Sequence, residues 1–245
     1  MTGLKPLIGV QAQIDMETDT LMIKPGYLEF VHHAGGFPVL FAPPQTPEEA
    51  KACIARFDGI LIPGGDDINP ALYGEEPLPG TDTPIPLRDN GEPLLLDAAY
   101  TADIPVLGIC RGTQMMHVHA GGGMYQDVLS QREGSMNHWQ EEPYAEPHHE
   151  VAVAPDTPLA TLLKEAGMAL TQPVNSIHHQ AIRPPFANHE VLAATSSDGS
   201  VEAICFPGQT FAMGVQWHPE LMLDNPFSQL IGNAFISAAA AYAAR

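Results

Sequence analysis

The sequence predicts an α/β fold with a mainly parallel central sheet flanked by helices and additional antiparallel strands in the C-terminal half. Three observations predict it. Short β-branched and apolar runs alternate with longer helical patterns through the first half, as βαβ units do. After residue 149 strand patterns follow one another at short intervals, with Asp198-Gly199 as a hairpin signal between two of them. The 245 residues suffice for one large domain and are few for two joined by a linker, so one core over residues 1–245 is expected.

The elements follow in order. Residues 7–10 read as a strand, 27–34 as a helix closed by Gly35-Gly36, and 38–41 as a second strand. Residues 46–56 form a helix with Thr46 as N-cap, Pro47 at the first helical position and Glu49 three residues after the cap. A buried strand follows at 59–62. Between residues 63 and 93 the prolines Pro63, Pro70, Pro77, Pro79, Pro84, Pro86 and Pro93 remove backbone donors, so this stretch is expected to be a long loop walling a site. A helix over 93–102, a strand over 105–109 and a helix over 111–120, ended by Gly121-Gly122-Gly123, complete the first half. Strands are expected at 149–154, 191–195, 201–206 and 211–215, and an Ala-rich helix at 226–244 begins with Pro226.

Composition excludes several classes of function. With 10 Lys plus Arg against 29 Asp plus Glu, the formal charge is -19, and such a surface repels phosphate backbones and anionic lipid. Neither a signal-peptide apolar region after Met1 nor a spanning segment of about 20 apolar residues is found, so a cytoplasmic protein is expected. Cys53, Cys110 and Cys205 are an odd, sparse set without metal-ligand spacing, which fits reduced thiols.

One cysteine stands apart. Residues 106–112, Val-Leu-Gly-Ile-Cys-Arg-Gly, describe a buried strand, a sharp turn and a helix start, with glycine two before and two after Cys110. This is the logic of a nucleophile elbow with sulfur for oxygen: the turn is too tight for flanking side chains and projects the central one. A helix N-terminus also favours the thiolate. Cys53 and Cys205 read as inert packing residues. A thiolate needs a base and the base an orienter, and His218 and Glu220 follow a strand two residues apart, a spacing that in extended backbone puts both on one side. The oxyanion formed by attack on an amide needs N–H donors. The backbone N–H of Arg111 is one, and Gly65 in the turn after the 59–62 strand is the expected second.

Pro63-Gly64-Gly65, residues 108–114 and residues 214–220, in this order, resemble the class I glutamine amidotransferase family, whose triad is Cys, His and Glu. Within it the chain is similar to the stand-alone γ-glutamyl-γ-aminobutyrate hydrolase branch of peptidase C26 type, on Arg88-Asp89 with Glu92, Tyr125-Gln126-Asp127, His149-Glu150-Val151 and residues 175–180. The resemblance implies a three-layer, flavodoxin-like fold, with Cys110 as nucleophile, His218 as base, Glu220 as its orienter and Gln114 near the glutamyl moiety. It implies that Arg88, His178 and His179 border the pocket; the place of Arg88 in the proline-rich stretch suits it to meet a carboxylate on the leaving amine, a charge-assisted contact. His117, Gly91 and Gly123 depart from the residues usual at their positions.

The expected reaction is hydrolysis of a γ-glutamyl amide through a thioester, releasing glutamate and an amine. The expected partner is a small-molecule γ-glutamyl substrate, with a homodimer left open. Two other readings compete: a glutaminase subunit delivering ammonia to a separate synthase, and a non-catalytic binding or redox-sensing protein on the same fold. The histidine pairs invite a metal reading. None, however, shows the i, i+4 spacing with an intervening Glu of a zinc hydrolase helix, so neither metal nor cofactor is expected.

Overall fold

The computed structural model describes residues 4–186 and 190–245; residues 1–3, where the segment read for a leader begins, and 187–189 lie outside it. The chain opens with β1 (Leu7–Gln11), a hairpin of β2 (Gln13–Asp15) and β3 (Thr20–Met22), α1 (Pro25–His33), β4 (Phe37–Phe41), α2 (Pro47–Ile54) and β5 (Gly59–Ile62). Then come α3 (Pro86–Ala102), β6 (Val106–Ile109), α4 (Arg111–His119), β7 (Gly123–Tyr125) and the single turn α5 (Val128–Gln131). The remainder is β8 (His149–Val153), α6 (Pro158–Glu165), β9 (Thr171–Val174), β10 (Ala181–Arg183), β11 (Val191–Ser196), β12 (Val201–Cys205), β13 (Ala212–Val215) and α7 (Pro226–Ala243).

Nine strands form the central sheet in the order β4-β1-β5-β6-β13-β12-β11-β8-β9. The first five are parallel, and β12, β11, β8 and β9 extend the sheet antiparallel. The mixed α/β architecture is therefore the expected one. Side chains alternate across the sheet as strand geometry requires. Leu61, Leu107, Ile109, Met213 and Val215 pack with α1, α6 and α7 on one face. Ile60, Ile62, Val106 and Ala212 pack with α2, α3 and α4 on the other. Among the described residues no helix is long and apolar enough to cross a membrane.

Local signals account for most helix starts. The Thr46 hydroxyl accepts the Glu49 N–H at 3.1 Å while the Glu49 carboxylate accepts the Gln45 N–H at 2.7 Å, and Asn225 caps α7 through the N–H groups of Phe227 and Ser228. These side chains satisfy donors that the first helical turn leaves free. The hairpin signal is met as well: Gly199 has φ +81° between the antiparallel β11 and β12.

The stretch expected to be a loop up to residue 93 is instead helical from Pro86, and Pro93 lies inside α3. An interior proline costs an isolated helix about 3 kcal/mol. Here the first turns are fixed by tertiary contacts: Arg88 and Glu92, one turn apart, form an ion pair at 2.7 Å with both side chains buried. Gly91 sits on the same helix, where an added Cβ would lie 2.5 Å from the Pro44 carbonyl oxygen, so it is a packing residue and not part of a lid. Several elements escaped the sequence reading, among them the β2–β3 hairpin, β7, α5 and β10, and for two more the local cause is plain. Helix α6 is only 8 residues long, and β9 contains Pro173, which the sheet tolerates because β9 is an edge strand.

The first-half connections place the site. Gly108 in β6 pairs with Ile62 of β5 on one side and Gly214 of β13 on the other, so three neighbouring parallel strands end together. α4 lies directly on them: a Cβ at Gly108 would fall 2.6 Å from Met116 Sδ, one at Gly214 2.6 Å from Thr113 Cγ2, and one at Gly112 2.2 Å from the Ile62 carbonyl oxygen. Gly112→Ala should therefore destabilise the protein by at least about 2 kcal/mol in a urea melt, because backbone must move to admit the methyl. Gly208→Ala, where nothing lies within 4 Å of the added Cβ, should change stability by less than about 0.5 kcal/mol.

Candidate active site

Cys110 follows β6 directly and has φ 50° and ψ −107°, a conformation that non-glycine residues rarely adopt. The strain is held from both sides: the Cys110 N–H donates to the Val215 carbonyl at 2.8 Å, and its own carbonyl accepts the Gln114 N–H at 3.2 Å. The side chain faces a cavity of about 580 Å³ whose wall also carries Gly65, Gln114, His178, His218 and Glu220. Gln216 Nε2 lies 3.5 Å from Cys110 Sγ, a contact that the sequence reading missed although Gln216 lies within a motif it used.

His218 leaves β13 and reaches the cavity from the neighbouring strand end. The two side chains converge over the glycine turn: a Cβ added to Gly64 would lie 3.1 Å from His218 Cε1 and 3.3 Å from Cys110 Cβ. His218 Nδ1–H donates to Glu220 Oε1 at 2.6 Å, leaving Nε2 as the other ring nitrogen. The pairing does not come from extended backbone, as the spacing suggested. Glu220 sits in a 3-10 turn, Pro219–Leu221, which folds its carboxylate back onto the ring. Asn175 fixes the backbone, accepting the His218 N–H at 2.8 Å and donating to the His218 carbonyl at 3.0 Å. Burial alone would lower the His218 pKa, but the negative charges of Glu220 and Cys110 outweigh it and raise it from 6.5 to about 10. The imidazolium is thus the form favoured at neutral pH.

The turn after β5 is set by a buried polar network. Arg88 is fully buried and uses Nη1 on the Gly64 carbonyl at 2.8 Å, Nη2 on the Pro63 carbonyl at 2.8 Å and Nε on Glu92 at 2.7 Å. Gln13 Nε2 donates to the same Gly64 oxygen at 2.9 Å. In a trans peptide the N–H points opposite to the C=O, so holding the Gly64 carbonyl aims the Gly65 N–H the other way. Gly65 itself has φ +154°, and an added Cβ would lie 2.3 Å from Arg88 Nη1. The Gly64 N–H is taken by the Tyr27 hydroxyl at 3.0 Å. On the elbow side, Arg111 bonds to Glu92 Oε2 and, at 2.7 Å, to Asp89 Oδ1. Neither the Gly65 nor the Arg111 backbone N–H makes a hydrogen bond among the described residues.

The structure thus brings Cys110, His218, Glu220, Gly65 and Arg111 to one strand edge. Gln114 is there too, its amide donating to Gln180 O and Gln216 Oε1 at 3.3 and 3.2 Å. Arg88 does not offer a free guanidinium to a ligand carboxylate, because all three nitrogens are engaged beneath the turn. His178 and His179 diverge. His178 is buried, whereas His179 bonds to Asp67 at 3.1 Å at the cavity rim, where that hydrogen bond raises its pKa despite burial.

A parallel sheet whose adjacent strand ends bring together a strained cysteine, a His–Glu pair and a glycine turn defines a domain of the glutamine amidotransferase-like class. The chain belongs to the peptidase C26 family, whose model matches residues 6–220. It is 35% identical over 231 residues to the Escherichia coli K12 γ-glutamyl-γ-aminobutyrate hydrolase PuuD, covering 90% of this chain and 87% of that protein. A Mycobacterium tuberculosis protein, assigned by name only provisionally to the glutamine amidotransferases, is 37% identical over 98% of this chain and 77% of its own length. The glutaminase domain of Trypanosoma brucei CTPS, solved with acivicin, superposes with a TM-score of 0.62 at 15% identity over 96% of this chain and 94% of that one, which is a likeness of fold. Family and relatives together support a hydrolase.

Two outcomes follow from the geometry. Glu220→Gln removes the larger of the two charges that raise the His218 pKa, so the alkaline limb of a kcat/KM profile should move to lower pH. The sign is that of a raised histidine: the stabilisation is complete below 6.5 and lost as pH rises through about 10. Glu92→Gln leaves two buried guanidinium groups undercompensated and should cost about 3–5 kcal/mol in chemical denaturation.

Proposed function

We propose that the protein hydrolyses γ-glutamyl amides through a γ-glutamyl thioester on Cys110. The observation that carries this reading is the convergence of strained Cys110, the His218–Glu220 pair and the Gly65 turn at the ends of β5, β6 and β13. The Cys110 thiolate attacks the γ-carbonyl carbon, and the carbonyl oxygen takes the negative charge. The backbone N–H groups of Gly65 and Arg111 meet that oxyanion; one such donor contributes about 100-fold in rate or more. His218, as imidazolium, delivers its Nε2 proton to the departing nitrogen, the C–N bond breaks and the thioester forms. His218, now neutral, takes a proton from water, whose oxygen adds to the thioester carbonyl. The second oxyanion collapses and expels the thiolate, giving glutamate and regenerating the pair. Glu220 holds the ring throughout, and Gln114 borders the glutamyl end of the cavity.

The amine end is a different environment. Asp66, Asp67 and Asp82 line the cavity together with Lys24, His179 and the already engaged Arg88. This surface supports a leaving amine without net negative charge over one ending in a carboxylate. With Arg88 engaged elsewhere, γ-glutamyl amines of that kind are the favoured substrates within the class that includes γ-glutamyl-γ-aminobutyrate.

A panel of γ-glutamyl-γ-aminobutyrate, a γ-glutamyl diamine and glutamine, assayed for released glutamate, tests the reading. Glutamate release from the first two without any added synthase is expected, with the higher kcat/KM for the diamine conjugate. Rapid quenching followed by mass spectrometry should find a glutamyl adduct on the peptide containing Cys110, and Cys110→Ala should abolish both adduct and turnover. Turnover that persists in Cys110→Ala would refute the thioester route, and glutamine turnover only beside a partner synthase would favour the ammonia-delivery alternative.

A further inference from the structure

A second cluster of reactive side chains lies beside the cavity and takes no part in the chemistry above. His138, His178 and Glu202 are 1%, 3% and 0% exposed. One ligand-capable atom from each lies within 4.8 Å of the others. The hydrogen bonds around them fix their protonation. His178 Nδ1 lies 2.8 Å from the Gln180 carbonyl, which can only accept, so Nδ1 carries the proton and Nε2 a lone pair.

The same logic applies to His138, whose Nε2 is 3.2 Å from Asp198 Oδ2. Asp198 accepts hydrogen bonds from Ser196, Ser200 and the Met136 N–H, which hold its carboxylate beside the ring as the acceptor for His138. His138 Nδ1 lies 3.2 Å from the Ser176 hydroxyl and 3.5 Å from Glu202 Oε1. His149 donates to Glu202 Oε1 at 3.0 Å and orients that carboxylate. Glu202 Oε2 and His178 Nε2 are both buried with no hydrogen-bond partner among the described residues. The His178 Nε2 lone pair, His138 and the Glu202 carboxyl group thus face one another, and two of their polar atoms lack a partner. Unpaired acceptors in such a place are costly, and a cation is what resolves them.

We propose that His138, His178 and Glu202 form a binding site for one divalent transition-metal ion of the zinc type. The donor set, two imidazoles and one carboxylate, is one that zinc accepts with a fourth position left for solvent. The outward hydrogen bonds to the Gln180 carbonyl and Asp198 are the outer-shell partners that fix the tautomers of metal-binding histidines. Zinc–ligand bonds of about 2.0–2.2 Å require the donors to draw together by side-chain rotation. The rings of His138 and His178 are stacked at 4.6 Å and must tilt apart as they do so. A bound ion would tie β12 to the cavity wall that carries His178. No spacing within one helix marks this site, because its ligands come from three separate segments.

The test uses full-length Cys110→Ser protein, so that the reactive thiol cannot contribute a ligand, after chelator treatment and dialysis. Titration with Zn²⁺ followed calorimetrically should show one equivalent bound, and Co²⁺ should give the visible absorption of a low-coordinate nitrogen and oxygen site. His178→Ala, His138→Asn and Glu202→Gln, each checked for folding by circular dichroism, should weaken Zn²⁺ binding by at least about 100-fold, beyond the range for outer-shell changes. His179→Ala, which alters the half-exposed Asp67, Asp82 and His179 group at the rim, should leave affinity unchanged. Should no ligand variant fold, the cobalt spectrum of the Cys110→Ser protein decides alone. No stoichiometric uptake, an octahedral cobalt spectrum, affinity unchanged in the ligand variants, or affinity lost only in His179→Ala would each overturn the proposal and leave a proton on His138 as the resolving cation.

Discussion

The site depends on a pair of carbonyl oxygens held by a buried guanidinium. Arg88 grips the Pro63 and Gly64 carbonyls from below, and because peptide planes are rigid this fixes where the Gly65 N–H points. Glu92 is shared between Arg88 and Arg111, and Asp89 completes Arg111. Two cations and two carboxylates leave the group neutral, the condition for keeping charge in an apolar interior. One network therefore couples the turn after β5 to the start of α4. The two backbone donors proposed to meet the oxyanion are positioned by the same four side chains, at a distance from the reacting atoms.

Around this network the fold solves a packing problem. A reactive side chain must stand at the end of a buried strand, yet α4 has to start at once and lie close on the sheet. Glycine at 108, 112 and 214 removes every Cβ that would keep the helix away, and the cost appears as the strained backbone of Cys110. Hydrogen bonds from neighbouring elements hold that strain. The His218 ring is fixed in a similar way by Asn175 behind its backbone and Glu220 at Nδ1.

How much of this could be read from the sequence depended on whether a feature was local. The elbow was legible because two glycines at fixed offsets are a steric requirement of the turn, and the parallel half because βαβ units repeat a pattern. The N-cap Thr46 and the first-turn proline Pro226 are likewise written in adjacent residues. The first turns of α3 were hidden, since the prolines deny them local propensity and they are fixed by Arg111, a residue brought there by tertiary folding. For the same reason the internal contacts of Arg88 were hidden: from the sequence it is a basic residue in a proline-rich stretch, whereas in the fold its three guanidinium nitrogens bond to Pro63, Gly64 and Glu92. Gln216, Tyr27 and Glu202 carried no signal of their own, because each acquires its role from a partner far away in the chain.

The most direct measurement of this account is the single-turnover rate of acylation in Arg88→Lys. Lysine keeps the positive charge but cannot hold both carbonyls and Glu92 in one planar fork, so the Gly65 N–H should lose its aim while the cavity wall remains. The account predicts a folded protein whose acylation rate constant falls by about 10- to 100-fold, in line with the loss of one oxyanion donor, with substrate dissociation constant little changed. A folded Arg88→Lys protein that acylates at the wild-type rate would contradict it.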